Sequence, residues 1–245
     1  MTAARDLAAR HAAELKGFGS SLPDDFSAAA TAIEAQLSAE QLERWAMTGI
    51  QLANHSLRSW EAAAEYFRAS PTLLATLDFE QVMAWAEVAT SLAERSSVIA
   101  AAYLRSTPDA LRRLPAAELE QWARQGERLC RGNWKSIALS SLYFNASPRL
   151  FESLDLAHLD QLVNVVDALT ERSYELATTC LEGAASIFAE LTPADREPFL
   201  EFARAVTRAS WADTRLYFER GPALLERIEP SQRGAFLQLA ARVTT

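Results

Sequence analysis

Hydrophobic positions recur along this chain with a long period. A leucine, once an isoleucine, opens each unit at Leu37, Leu77, Leu114, Leu154, Leu191 and Ile228, so successive units are 40 or 37 residues long. Eight residues after the marker stands a bulky apolar residue: Trp45, Trp85, Trp122, Leu162, Phe199 or Phe236. Twelve after it comes a small or short one (Gly49, Ala89, Gly126, Val166, Ala203, Ala240), and fifteen after it Leu52, Leu92, Leu129, Leu169, Val206 or Val243. Steps of four and three put these side chains on one helical face, so each unit opens with an amphipathic helix.

The second half of the unit aligns when counted back from the next marker. Serine recurs at Ser59, Ser96, Ser136, Ser173 and Ser210, and seven residues on stands Tyr66, Tyr103, Tyr143, Cys180 or Tyr217. The next residue is Phe67, Leu104, Phe144, Leu181 or Phe218. Units close on Ser70-Pro71, Thr107-Pro108, Ser147-Pro148 and Gly221-Pro222, whereas the fourth has Ala184-Ala185. A hydroxyl followed by proline marks a helix start, because the hydroxyl caps an orphan N–H and proline has none to leave unsatisfied. This predicts short helices beginning at Pro71, Pro108, Pro148 and Pro222. The recurrent serine is either the N-cap of the second helix or a small residue where two helices approach closely.

Unit starts carry similar signals in Ser38 with Gln41, Asp78 with Gln81, and Thr192-Pro193 with Asp195. Pro198 falls inside the first helix of the fifth unit, which is expected to start late or kink. The junctions Ala93-Glu94-Arg95 and Thr170-Glu171-Arg172 contain no breaker, so one long helix and a helix pair both fit there. The first and third units carry three extra residues between their helices, within Ala53 to Arg58 and Cys130 to Lys135.

Self-similarity at this period predicts an all-α fold, a HEAT-like α-solenoid of about five and a half helical-hairpin repeats over residues 37–245. Residues 1–36 fall outside the register. Their amphipathic stretches, about Ala3–Lys16 and Asp24–Gln36 around a turn at Gly17–Pro23, predict an N-terminal helical cap over the first repeat's open face. The sixth repeat has only its first helix, Pro230–Val243. A lone half-unit fits a terminal cap, and a face apolar on more than one side fits a chain cut from a longer protein; both readings stand.

Composition narrows the function classes. Only 8 of 245 residues are glycine and 49% are hydrophobic, which fits a helical globular chain and excludes disorder. The net charge of −8 disfavours binding to nucleic-acid phosphate or an anionic membrane surface. The longest uncharged stretch, Ser136–Pro148, is shorter than the about 20 apolar residues of a membrane span. The first residues have no apolar signal core, and two unspaced cysteines fit a reducing compartment. The expected location is cytoplasmic.

Candidate chemistry is sparse. Of His11, His55 and His158, none lies in a metalloprotease motif, and Asp155 and His158 pair a carboxylate with a histidine at helical spacing. His158 occupies a column otherwise filled by Gln41, Gln81, Glu118, Asp195 and Gln232, a polar helix face; His55 falls in an inter-helix extension. Cys180 replaces a core tyrosine and reads as a buried thiol. Cys130 has Arg131 and Lys135 nearby but no partner base. No nucleophile elbow, phosphate loop or dinucleotide fingerprint occurs, so neither an enzyme nor a cofactor or metal site is expected.

Trp134 is the residue that breaks the pattern. It lies in an extension beside Arg131 and Lys135, whereas Trp45, Trp85 and Trp122 share a core column. An exposed tryptophan among arginines is the composition of an interface hot spot, and a tryptophan tucked over its own loop is the alternative. Arg124, Arg128, Arg131, Trp134 and Lys135 are therefore the candidate protein contacts. Charge is also uneven: Arg105–Lys135 holds seven basic and four acidic residues, Glu152–Glu201 eleven acidic and two basic. A bipolar stack that orients a partner and plain solvated helix faces both fit.

The repeat stands here as Leu37, Leu42, Trp45-Ala46, Gly49 and Leu52, then Ser59, Ala63, Tyr66-Phe67, Ser70-Pro71 and Leu74. In this it resembles the helical-repeat region that precedes the von Willebrand A domain in bacterial proteins partnering MoxR-type AAA+ ATPases. That group includes nitric oxide reductase activation proteins and a Rubisco activase adaptor. The likeness covers about Leu37 to Val243. The family's D-x-S-x-S metal motif is absent, so the resemblance implies a scaffold portion with no metal site. The expected function is a non-enzymatic adaptor for another protein, an AAA+ ATPase of this type or its client. Its rivals are a small-ligand binder or enzyme with a site in a concave groove, and a nucleic-acid-binding helical repeat.

Overall fold

The structure, a computed structural model, describes residues 3–18, 21–56, 59–208 and 211–243. Among these the chain is all-helical, with no strand. It divides into two compact units, residues 1–127 and 128–245. The first contains α1 (Ala3–Lys16), α2 (Leu22–Ile33), α3 (Ala39–Asn54), α4 (Trp60–Leu74), α5 (Phe79–Arg95), α6 (Ser97–Ala110), a single 3-10 turn (Ala116–Glu118) and nearly all of α7 (Leu119–Arg128). The second contains α8 (Trp134–Leu150), α9 (Leu156–Thr170), α10 (Tyr174–Glu190), α11 (Pro193–Val206), α12 (Trp211–Leu225) and α13 (Pro230–Val243).

Capping chemistry sets most of these starts. Ser38 with Gln41, and Asp78 with Gln81, form reciprocal capping boxes at 2.8–3.2 Å, satisfying two orphan N–H groups each. Asn133 and Ser136 form a third. Thr192 instead donates its hydroxyl to Asp195 at 2.6 Å. The unbroken junctions are helix pairs: Ser96 and Ser173 adopt extended backbone and accept from the N–H of Val98 and Glu175. Ser136 sits one turn inside α8, because the three extra residues let that helix begin at Trp134. Ser210 lies outside the described residues.

Two expectations about proline are corrected. Pro71, Pro108 and Pro148 do not begin separate helices; they lie inside the last turns of α4, α6 and α8, and α12 likewise runs through residue 222. The preceding hydroxyls do not cap. Ser70, Thr107 and Ser147 donate back along their own helices to the carbonyls of Tyr66, Tyr103 and Tyr143, at 2.6–2.7 Å. So near the helix end, proline interrupts a ladder that is about to stop anyway. Nor does α11 start late: it begins at Pro193, whose missing N–H is no loss at the first helical position, and continues through Pro198.

In the first unit α2 packs on α4 and α4 on α6, while α3 packs on α5. In the second, α8, α10 and α12 pack in order, and so do α9, α11 and α13. α1 packs on α2 and α3. Each buried tryptophan of the first unit lies against an aromatic ring of the preceding even-numbered helix. Trp45 stacks on Phe26 (5.6 Å), Trp85 on Tyr66 (5.5 Å), and Trp122 tilts on Tyr103 (5.2 Å). Gly49 is required here, since a Cβ would lie 2.3 Å from the Phe67 ring. The buried face of α2, Leu22, Phe26, Ala29 and Ile33, stands 40 residues before Ala62, Tyr66, Ala69 and Leu73 on α4. The register therefore reaches back into the N-terminal segment that sequence alone sets apart.

Candidate functional site

The candidate contact residues separate by the elements that carry them. Arg124 is exposed on α7 and pairs with Glu120 one turn back. Arg128 donates to Asp160 at 3.1 Å and to Asn164 at 2.8 Å, both on α9. Arg131 binds Asp167 at 2.8 Å and also Glu171, again on and just beyond α9. The hydrogen bonds it donates to Glu171 and Asp167 hold its pKa above the ordinary arginine value. Arg128 and Arg131 thus clamp the segment before α8 to α9, and the carboxylates of the acidic stretch neutralise them locally.

Gly132 then makes the turn that frees Trp134. Its φ of +79° is a left-handed conformation that glycine adopts without a Cβ penalty. Asn133 caps α8, and its side-chain amide also donates to the Tyr174 hydroxyl at 3.0 Å, fixing the start of α8 against α10. Trp134 follows as the first helical residue, with 74% of its surface open to solvent, so it is not tucked over its loop. The Lys135 ammonium stands 5.6 Å from its ring centroid. Trp134 and Lys135 form one wall of a 360 Å³ groove; Tyr174, Glu175, Thr178 and Glu182 of α10 form the other. This second wall, with its acidic edge, was not singled out from the sequence. Its signal is that Glu175, Thr178 and Glu182 lie on one α10 face outside the core columns.

A larger groove of 530 Å³ lies in the first unit between α5 and the 3-10 turn, and its polar lining is Gln81, Glu87, Ser91 and Glu120. Neither groove is lined by histidine or cysteine. His11 stands beside Glu14 and Glu43, His55 ends α3, and His158 shares Asp155 with the α9 N-terminus. Partial burial raises the Asp155 pKa, but hydrogen bonds from the His158 backbone and ring outweigh it and hold the carboxyl below its usual range. Burial pushes the Cys180 thiol far up, away from thiolate chemistry. Among the described residues, no group of three or more metal-ligating side chains comes together, and no helix is long and apolar enough to cross a membrane. No family model, curated protein or solved structure matches the chain.

Proposed function

We propose that this chain is a non-enzymatic scaffold for protein–protein interaction, with its helical pairs arranged as an α-solenoid of about five and a half repeats. The ordered packing of α2, α4 and α6, and of α8, α10 and α12, supports the repeat reading. The observation that carries the functional reading is Trp134. Leaving so large an apolar ring in water has a cost of about 1.5–3 kcal/mol relative to burying it, and no fold requirement places it there. Trp134, Lys135 and the α10 wall form an amphipathic platform that a partner's side chains cover. Arg128 and Arg131 contribute field at its margin rather than direct contacts, since each already has a carboxylate partner. The partner class is that implied by the family resemblance, an AAA+ ATPase of the MoxR type or its client.

The test is affinity capture with the wild-type chain and Trp134→Ala from the same lysate, followed by titration of the purified partner. Loss of a hot-spot tryptophan lowers affinity at least about tenfold while leaving the melting temperature unchanged. Equal recovery of every partner by the two proteins would remove the platform from the argument.

A further inference from the structure

The outer seams between successive even-numbered helices are not alike. On the α2–α4 seam Arg68 donates to Asp25 at 2.8 and 3.0 Å, and on the α4–α6 seam Arg105 donates to Glu65 at 2.9 Å. These pairs occupy the same columns of the repeat. Each acid stands twelve residues before a unit marker, and its arginine nine residues before the next marker. On the α10–α12 seam Arg215 reaches Glu175 at 2.9 Å. An ion pair stitches each of these three seams.

The α8–α10 seam departs from the pattern. Its acid column holds Leu142, and its arginine column holds Glu182, 40 residues further on. Leu142 is half-buried, one turn beyond Ala138 on α8, and Glu182 is exposed on α10. Among the described residues Glu182 makes no hydrogen bond or ion pair, and Lys135 makes no ion pair. A neutral bond, from the Asn133 amide to the Tyr174 hydroxyl, ties the two helix starts instead. An exposed ion pair contributes less than about 1 kcal/mol, so its loss here leaves the fold intact and a carboxylate free.

That carboxylate is not isolated. Glu182 lines the same 360 Å³ groove as Trp134, with Lys135 beside the tryptophan ring. Trp134 and Tyr174 are the first residues of α8 and α10, and Glu182 follows Tyr174 by eight residues. At 1.5 Å per residue, it therefore lies about 12 Å along α10 from the Trp134 end. The groove has a cation and an exposed apolar ring at one end and an anion at the other.

We infer that the α8–α10 groove docks one amphipathic helix of a partner protein, with an apolar anchor over Trp134, an arginine or lysine against Glu182 and an acid against Lys135. The partner's base takes the place of the missing stitch. Helical residues seven apart share a face and stand about 10.5 Å from one another, which matches the span from the Trp134 end to Glu182. An acid four residues before the anchor falls on that face too. Charge then sets which way the helix lies and rejects one of the opposite pattern. This rests on Trp134 as a contact residue and adds the charge pattern and direction of what covers it.

The probe is a fluorescent, lactam-held helix of about 15 residues, a length that is marginal without the lactam. It is alanine and glutamine apart from glutamate, leucine and arginine at i−4, i and i+7. Anisotropy follows its titration into the full chain, beside a twin in which the glutamate and arginine are exchanged. The first peptide should bind saturably and the twin about tenfold or more weakly, because both contacts turn from attraction to repulsion. Lys135→Glu with Glu182→Arg, both at exposed positions, should reverse that preference in a chain that circular dichroism shows to be folded. Trp134→Ala should weaken both peptides. Absent binding, equal binding of the two peptides, or a preference that the double substitution does not reverse overturns the proposal. Equal binding that Trp134→Ala abolishes overturns the charge pattern alone and leaves the Trp134 platform standing. Binding indifferent to Trp134→Ala overturns both.

Discussion

The two units use one column of the repeat in different ways. In the first, the position eight residues after each marker is tryptophan, and its ring lies on an aromatic of the neighbouring helix. In the second the same position is Leu162, Phe199 or Phe236, and in the tyrosine column of that unit Cys180 has replaced a tyrosine. An indole brings more buried area than a leucine, and also an N–H; that of Trp45 is buried with no hydrogen-bond partner. Trp85 donates its own to the Thr107 hydroxyl at 3.0 Å, and Thr107 passes its own proton to the Tyr103 carbonyl at 2.7 Å. In the fourth repeat, where Leu162 fills the column, the position of Thr107 is taken by Ala184, which carries no hydroxyl. The lesson is that a repeat column fixes volume first, and the hydrogen bonds around it are settled repeat by repeat.

The largest effect expected from this difference is on the stability of the first unit. Trp85→Ala removes a fully buried ring and costs about 3–5 kcal/mol, whereas Leu162→Ala in the second costs about 2–5 kcal/mol. Trp85→Ala should unfold residues 1–127 at lower denaturant than residues 128–245. Cys180, buried in the second unit, is the reporter: in a Cys130→Ser background it should stay unreactive to thiol reagents through the first transition seen by tryptophan fluorescence. Simultaneous exposure of Cys180 would show that the units share their stability.

A smaller effect isolates the hydrogen bond from the ring. Thr107→Val keeps the shape but leaves the Trp85 N–H buried without its acceptor, costing about 1–3 kcal/mol. Ser147→Ala at the matching position strands no donor and should cost less than about 1 kcal/mol in the same urea titrations. Equal costs at the two positions would mean the hydroxyl column serves its own helix alone.

Much of this was legible in the chain because core periodicity survives substitution: Trp45, Trp85, Leu162 and Phe199 differ in kind but keep their spacing, and all are buried. The capping boxes at Ser38 and Asp78 were equally readable, since both partners lie within one turn. What misled was the Ser-Pro and Thr-Pro closing motif. Its local chemistry favours a helix start, but the upstream helix was already propagating, and one lost bond in a final turn is a small penalty beside the packing of Tyr66 or Tyr143. The Trp134 groove was half legible. A residue outside the pattern marks one wall, but the α10 wall is brought to it only by helix packing.

The smallest effect separates a cap from a charge. Asp155 accepts from the His158 backbone N–H at 2.8 Å and from its ring at 2.7 Å at the start of α9, in the unit whose core lacks the tryptophans. Its folded pKa lies below the unfolded value, so its contribution is fully present above the unfolded pKa and is lost as pH falls through the folded one. Asp155→Asn keeps a good N-cap but cannot titrate. Stability near neutral pH should therefore fall only by the lost charge interaction, and the acid limb below about pH 4 should flatten relative to wild type. Urea midpoints for the two proteins between about pH 3 and 7 decide it: parallel acid limbs for wild type and Asp155→Asn would mean the histidine contact contributes nothing to folding.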